Sequence, residues 1–182
     1  IGIGGPDGGY CQTPFGVQAC NIPFNTHLLS SLAQETGGQS FLATHQEELE
    51  QIYEAINQLE KIIAYEGSAN IAAILLEGES GTSGCLQYPN GYLKAVREIT
   101  SRYGILMIMD EVMSGFGRTG KWFGFENHGV VPDMVCMAKG ITSGYLPFGC
   151  LMVTDAIAAK YDNDPLMIGL TYSAHATACA AA

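Results

Sequence analysis

Three short apolar runs in this chain each stop on an ionisable residue, and that pattern limits the fold more than any other feature. The first runs from Ile71 to Glu77, the second from Tyr103 to Asp110, and the third from Asp133 to Lys139. None alternates apolar with polar residues, which is how a strand covered on both faces of a parallel sheet reads. Between the first two, Pro89 opens a segment with Tyr92, Leu93, Val96 and Ile99 at helical spacing, closing near Tyr103 and Gly104. Strand, helix, strand is a βαβ unit with a right-handed crossover, so the fold class is α/β with a mostly parallel sheet. Ligands of such sheets bind outside the carboxyl ends of the strands, and neighbouring strands lie roughly 5 Å apart. The pattern therefore predicts Glu77, Asp110 and Lys139 along one sheet edge, facing a common crevice. An amine at the mouth of a buried strand is desolvated, which lowers its pKa and makes it nucleophilic.

The rest of the chain supports that frame. Leu49, Ile52, Tyr53, Ile56, Leu59, Ile62 and Ile63 predict an amphipathic helix over Glu47 to Tyr65, closed near Gly67. A further strand is predicted over Gly149 to Val153 and a short helix over Asp155 to Tyr161. Residues 1–26, rich in Gly, Pro and Asn, read as loop. A length of 182 residues suits one domain. The start at Ile1 and the stop inside an alanine run point to a piece of a longer protein.

A formal charge of −10 with eight Lys plus Arg argues against nucleic acid or an anionic membrane as partner. No apolar stretch approaches the roughly 18 residues of a spanning helix. Six cysteines without a Cys-x-x-Cys pair fit a reducing, cytoplasmic setting. Cys11, Cys20 and His27 match no usual zinc spacing, so no metal site is expected.

One motif points elsewhere. Gly115, Gly117 and Gly120 satisfy G-x-G-x-x-G directly after a strand, the pattern of a dinucleotide site. Asp110 and Glu111 just before the glycines would repel a pyrophosphate, and the segment from Lys121 is a poor start for the phosphate-holding helix. A tight turn is the better reading. Taken singly, Asp110 also reads as a turn cap or a partner of Arg118, Lys139 as an exposed loop lysine, and Glu77 as a solvated strand end.

Taken together, the motifs resemble the class III aminotransferases, enzymes of fold type I that depend on pyridoxal phosphate. The resemblance is carried by Asp110 through Gly120, by Pro132-Asp133 leading to Ala138-Lys139-Gly140, by Gly144 through Gly149, and by Thr171-Tyr172-Ser173 running into Ala178 to Ala181. It implies a fold type I large domain, with a mostly parallel central sheet and helices on both faces. Residues 1–182 would be part of that cofactor-binding domain. The family's phosphate loop and ring-stacking aromatic would lie before Ile1, and its small domain and substrate-carboxylate arginine after Ala182.

The resemblance also implies roles. Lys139 would form the Schiff base with the cofactor aldehyde, and Asp110 would pair with the pyridine nitrogen, holding the ring protonated as an electron sink. Val112 would pack on a ring face. At the position of Met113 many members carry a glutamine that bonds the ring hydroxyl, which methionine does less well. Thr171 matches the threonine that reaches the cofactor phosphate of the neighbouring subunit, implying a homodimer. Ala174 and Ala176 replace the glycine and proline of relatives around Ser173 and His175.

The implied reaction is a ping-pong transfer of an amino group from an ω-amino acid or amine to a keto acid, pyruvate by preference. Tyr10-Cys11, Pro14-Phe15-Gly16, the loop Gly81 to Gly84 and the stretch Gly140 to Tyr145 look most like the taurine and β-alanine branch. Thr82 stands where relatives acting on 4-aminobutyrate or ornithine often have glutamate. Other readings are an aminomutase, racemase or decarboxylase of the same architecture, and a non-catalytic relative.

Overall fold

The computed structural model describes residues 2–5, 8–13, 16–20, 46–81 and 83–182, with side chains from residue 50 onward, 51 and 82 excepted. The chain divides into two compact units, Ile1–Leu49 and Glu50–Ala182. In the first, strands β1 (Gly2–Gly5), β2 (Gly8–Thr13) and β3 (Gly16–Cys20) form an antiparallel sheet in that order. Gly4 lies opposite Gly9, and Tyr10 opposite Ala19. This corrects the loop expected over residues 1–26 where they are described; residues 1, 6–7, 14–15 and 21–26 lie outside the described residues. A ladder is made by backbone N–H and C=O groups, which glycine carries like any other residue. Glycine frequency alone therefore misleads where a hairpin is short. Cys11 and Cys20 sit on neighbouring strands opposite Gln18 and Gly9 respectively, and His27 lies outside the described residues.

Helix α1 (Gln46–Glu66) covers the predicted amphipathic stretch. Beyond it the second unit is built on β4 (Ala73–Glu77), α2 (Tyr92–Tyr103), β5 (Leu106–Asp110), β6 (Met134–Met137), β7 (Cys150–Val153) and the short helices α3 (Asp155–Ala158) and α4 (Ala176–Ala181). The sheet order is β4-β5-β6-β7, with the first three strands parallel and β7 antiparallel. Helix α2 stops at Gly104, whose φ of 69° lets its N–H turn back to the carbonyls of Thr100 and Ser101.

The core lies on one sheet face. Leu93 and Val96 of α2 pack with Met107 and Met109 of β5, while Ile63 of α1 and Ile99 of α2 enclose Ile105 and touch Ile74. Each of these side chains except the partly buried Ile74 contributes about 1.5–3 kcal/mol. The strands thus alternate in burial more than their uniformly apolar sequences suggest, because α1 and α2 pack on the same side. On the opposite face Leu75 and Leu151 are 60% and 56% exposed. Among the described residues no helix is long and apolar enough to cross a membrane.

Asp133 fastens the layers together. Its Oδ2 accepts from Arg97 Nη1 of α2 at 2.6 Å and from the Met107 amide of β5 at 2.7 Å. Its own amide donates to the Met107 carbonyl, and its carbonyl accepts from Thr154 after β7. Asp133→Ala strands a buried amide and should cost about 2–3 kcal/mol, whereas Arg97→Ala removes only a partly solvated pair and should cost about 1 kcal/mol or less. Urea denaturation of both variants checks this; equal losses would mean the amide contact adds nothing.

Glu98 of α2 is the opposite case, since its Oε2 is buried with no donor among the described residues. Burial raises its pKa above the ordinary 4.5, with Lys94 and Arg102 pulling it back down. A carboxyl raised on folding binds its proton more tightly in the folded state. Its favourable contribution is full below the unfolded value and is lost as pH rises through the folded one. Glu98→Gln should therefore stabilise the protein at pH 7, and the gain should vanish below about pH 4 in denaturation curves taken across pH.

Candidate active site

The parallel register sets one row of side chains at the carboxyl ends of the strands. Glu77 of β4 pairs with Asp110 of β5, and Asp110 with Cys136 of β6. Residues paired across a parallel ladder point to the same face, so two carboxylates and a thiol share one side of this edge. Lys139 follows three residues beyond Cys136. The Cys136 thiol is pushed up by burial first and then by the charge of Asp110. Tyr88 is raised by burial, then by Tyr92, Glu77 and Glu79.

The two carboxylates are held in similar ways. Asp110 Oδ1 accepts from the Val112 amide at 2.9 Å, and Glu77 Oε2 from the Gly81 amide at 2.7 Å. Each side chain caps the turn that follows its strand. The second oxygen of Asp110 has no hydrogen-bond partner among the described residues, and Arg118 forms no ion pair with it there. A carboxylate with one oxygen anchored and the other open is suited to bond a cationic ring N–H.

The residue that sequence reasoning missed is Glu111, which is 0% exposed. Its Oε2 accepts from Ser114 Oγ at 2.6 Å and from the Gly124 amide at 2.8 Å, and its Oε1 from the Phe125 amide at 2.9 Å. Its backbone amide donates to the Cys136 carbonyl, and the Gly78 amide donates to the Asp110 carbonyl. The ends of β4, β5 and β6 are thereby tied to one another. A Cβ on Gly78 would collide with the Glu111 carboxylate and come within 2.9 Å of Ser114 Oγ, so only glycine fits. Far from facing a phosphate, Glu111 points inward. The signal that was available is a carboxylate followed three residues later by serine, inside a glycine-rich turn.

That turn is the tight one expected from the G-x-G-x-x-G match. Phe116 has φ 61°, Gly117 φ 87° and Gly120 φ 86°, and the Gly120 amide closes on the Gly117 carbonyl. Phe116 meets Phe123 edge to face, and Phe123 stacks on Phe125. Phe116 also abuts Gly140, where a Cβ would lie 3.0 Å from its own Cβ. The residue after Lys139 is thus packed on the turn that follows Asp110.

Lys139 opens a short 3-10 turn, Lys139–Thr142, with its own φ at 45°. The left-handed region costs a non-glycine residue roughly 1 kcal/mol or more. Thr142 secures the turn by donating to the Leu146 carbonyl at 2.7 Å. The Lys139 side chain is exposed. The desolvation expected at a buried strand mouth is therefore not supplied by the described residues, because the turn carries the lysine past the covered part of β6.

Of the remaining predicted residues, Val112 adjoins this row through its amide on Asp110 Oδ1, while Met113 and Thr171 line clefts that Asp110 and Lys139 do not. Val112 is half-buried. Met113 lines a cleft of about 610 Å³ with Gly81, Tyr88, Arg118 and the Glu79–His128 pair, whose Nε2···Oε1 distance is 3.2 Å. Thr171 is exposed and lines a second cleft of about 1110 Å³, bounded by Leu146 to Gly149, Leu170 to His175 and Thr177 to Cys179. Neither Asp110 nor Lys139 lines either cleft. Thr82 lies outside the described residues.

Comparison with known proteins places this geometry in context. The description of the family "Aminotransferase class-III" matches residues 21–182. An omega-amino acid–pyruvate aminotransferase of Pseudomonas putida is 42% identical over 132 residues, covering 69% of this chain and 29% of that protein. A taurine–pyruvate aminotransferase of Bilophila wadsworthia is 44% identical over 108 residues, covering 59% and 24%. Among solved structures, taurine:2-oxoglutarate aminotransferase from Bifidobacterium kashiwanohense, in complex with PLP and glutamate, superposes with a TM-score of 0.73 at 41% identity, covering 81% of this chain and 32% of that one. An (S)-enantioselective omega-transaminase from Thermomicrobium roseum gives 0.71 at 45% identity, covering 74% and 30%. The chain thus spans about 30% of the length of such relatives.

The left-handed backbone at Lys139 yields a test independent of any ligand. Lysine and alanine both carry a Cβ into that conformation, and glycine does not. Lys139→Gly should therefore be more stable than Lys139→Ala by about 1 kcal/mol in chemical denaturation. The reverse order would rule out the φ of 45°.

Proposed function

Because the chain belongs to the class III aminotransferases, we propose that the protein it comes from moves amino groups from ω-amino acids or amines to a keto acid, pyruvate foremost. The observation that carries this is the strand-end row: Glu77 and Asp110 in register on one face, with Lys139 opening the turn after the neighbouring strand. The relatives named for omega-amino acids, taurine and β-alanine all take pyruvate as acceptor, which supports that choice. The taurine relative with a solved structure is named for 2-oxoglutarate, which makes it the second acceptor to try.

The cofactor is pyridoxal 5'-phosphate, which when bound supplies an electron sink for the pair left by a broken Cα–H bond. Lys139 would hold it through Nζ and, once displaced by the donor amine, would carry the proton from the donor's Cα. The open oxygen of Asp110 would pair with the ring nitrogen and keep it protonated, since an adjacent anion raises a base's pKa. Val112 would pack on the ring. Met113 offers an apolar contact where many members have a hydrogen-bonding glutamine. With water supplying the oxygen, the donor would leave as a carbonyl compound before the keto acid enters, so Lys139 and Asp110 would serve the two half-reactions in opposite order.

The reading includes a homodimer, with Thr171 reaching the cofactor phosphate of the neighbouring subunit. Its exposure on a wide cleft supports that role. It also includes a cytoplasmic setting, in line with the unpaired thiols Cys85, Cys136, Cys150 and Cys179. The chain would be part of the cofactor-binding large domain, with the phosphate loop, ring-stacking aromatic and carboxylate-binding arginine supplied from beyond it.

The full-length protein should form alanine from pyruvate with taurine, β-alanine or a diamine as donor. Lys139→Ala should lose the visible absorbance of bound cofactor and slow transfer at least about a hundredfold. A wild-type protein that binds cofactor but transfers no amino group to pyruvate or 2-oxoglutarate would overturn the aminotransferase reading in favour of another reaction of the same architecture.

A further inference from the structure

We infer that Glu111 is a positioning residue for the cofactor site, acting through Asp110 and Val112 without touching the ring itself. The inference rests on the proposed cofactor reading. Its basis is geometric. Glu111 stands between the residue proposed to bond the ring nitrogen and the residue proposed to pack on the ring face. Its side chain is fully buried and held by three donors on Ser114, Gly124 and Phe125. Its amide is fixed to the Cys136 carbonyl on the strand that leads to Lys139.

With both backbone and side chain of Glu111 immobilised, the Asp110 carboxylate has little freedom to swing or translate. The Val112 amide that anchors Asp110 Oδ1 is the very next one in the chain. A carboxyl group so far from solvent is tolerated only when its hydrogen bonds are complete, so losing one donor should loosen the segment before it unfolds the domain.

The test uses the full-length holoenzyme and two variants that leave the proposed cofactor contacts intact. Ser114→Ala removes one donor, and Glu111→Gln puts an amide group where one acceptor oxygen stands. Pyridoxal phosphate affinity is measured by equilibrium dialysis, and the pH midpoint of the bound cofactor's visible band by titration. Ile99→Val in the helix core serves as a control for general destabilisation. Both variants should bind pyridoxal phosphate about tenfold more weakly and move the midpoint by about half a pH unit or more, with the control unchanged in both. Where Glu111→Gln fails to fold, Ser114→Ala decides. Wild-type affinity and midpoint in the variants, or the same shifts in Ile99→Val, would overturn the inference while leaving the cofactor reading standing. A wild-type protein that takes up no pyridoxal phosphate would sink that reading, and the inference with it.

Discussion

A buried carboxylate without partners is among the costliest things a fold can contain, and the arrangement around Glu111 is the answer this chain gives to that cost. Its three donors come from two stretches, one just after β5 and one in the aromatic turn at Gly124 and Phe125. Satisfying them draws that turn against the strand ends, leaves room for nothing larger than hydrogen at Gly78, and makes Gly124 tight against Ser114. What looks in sequence like a loose glycine-rich loop is therefore a closed unit. The strand tips inherit its rigidity, because the amides of Gly78 and Glu111 bridge β4 to β5 and β5 to β6.

The sheet supplies the other half of the site by placement. Parallel strands bring their carboxyl ends to one edge, so ionisable residues that end separate runs are gathered without any contact between them being needed. Both helices that build the core pack on the face of Met107 and Met109. Glu77, Asp110 and Cys136 therefore lie on the other face, away from the densest packing. Burial makes the frame stiff on one side and leaves the chemistry-bearing side open to a ligand.

Much of this was legible in the sequence for identifiable reasons. The runs ending at Glu77, Asp110 and Lys139 announce themselves because burial demands uninterrupted apolar residues and the strand tip does not. The helices α1 and α2 were readable from period and punctuation, since Pro89 and Gly104 act locally. The antiparallel sheet of β1, β2 and β3 is not legible, because its many glycines and short hairpin connections read as loop, whereas the ladder is made by backbone groups that leave no side-chain pattern. Glu111 is only partly legible: Ser114 three residues on is a local partner, but the two amides that complete its hydrogen bonds lie 13 and 14 residues away, beyond the reach of any local pattern. The exposure of Lys139 is one of the two readings its position allows, but the left-handed turn behind it is out of reach, since lysine disfavours that conformation.

That turn conformation adds to the case for the proposed site at this edge. Gly67, Gly104 and Gly129 hold positive φ in ordinary turns, where glycine costs nothing. Among the described residues Cys85, Phe116, Lys139, Ser143 and Ala174 are left-handed without being glycine, and three of the five are Lys139 with Phe116 and Ser143 near it. Each carries a steric penalty that a glycine would remove, and Phe116 and Lys139 are linked through the contact between Phe116 and Gly140. Strain of this kind persists only where surrounding structure over-determines it, and it gathers at sites where a side chain must point in one direction. At position 139 the strained residue is the single amine that follows the strand beside Asp110, so the cost falls where a nucleophile would need to be aimed.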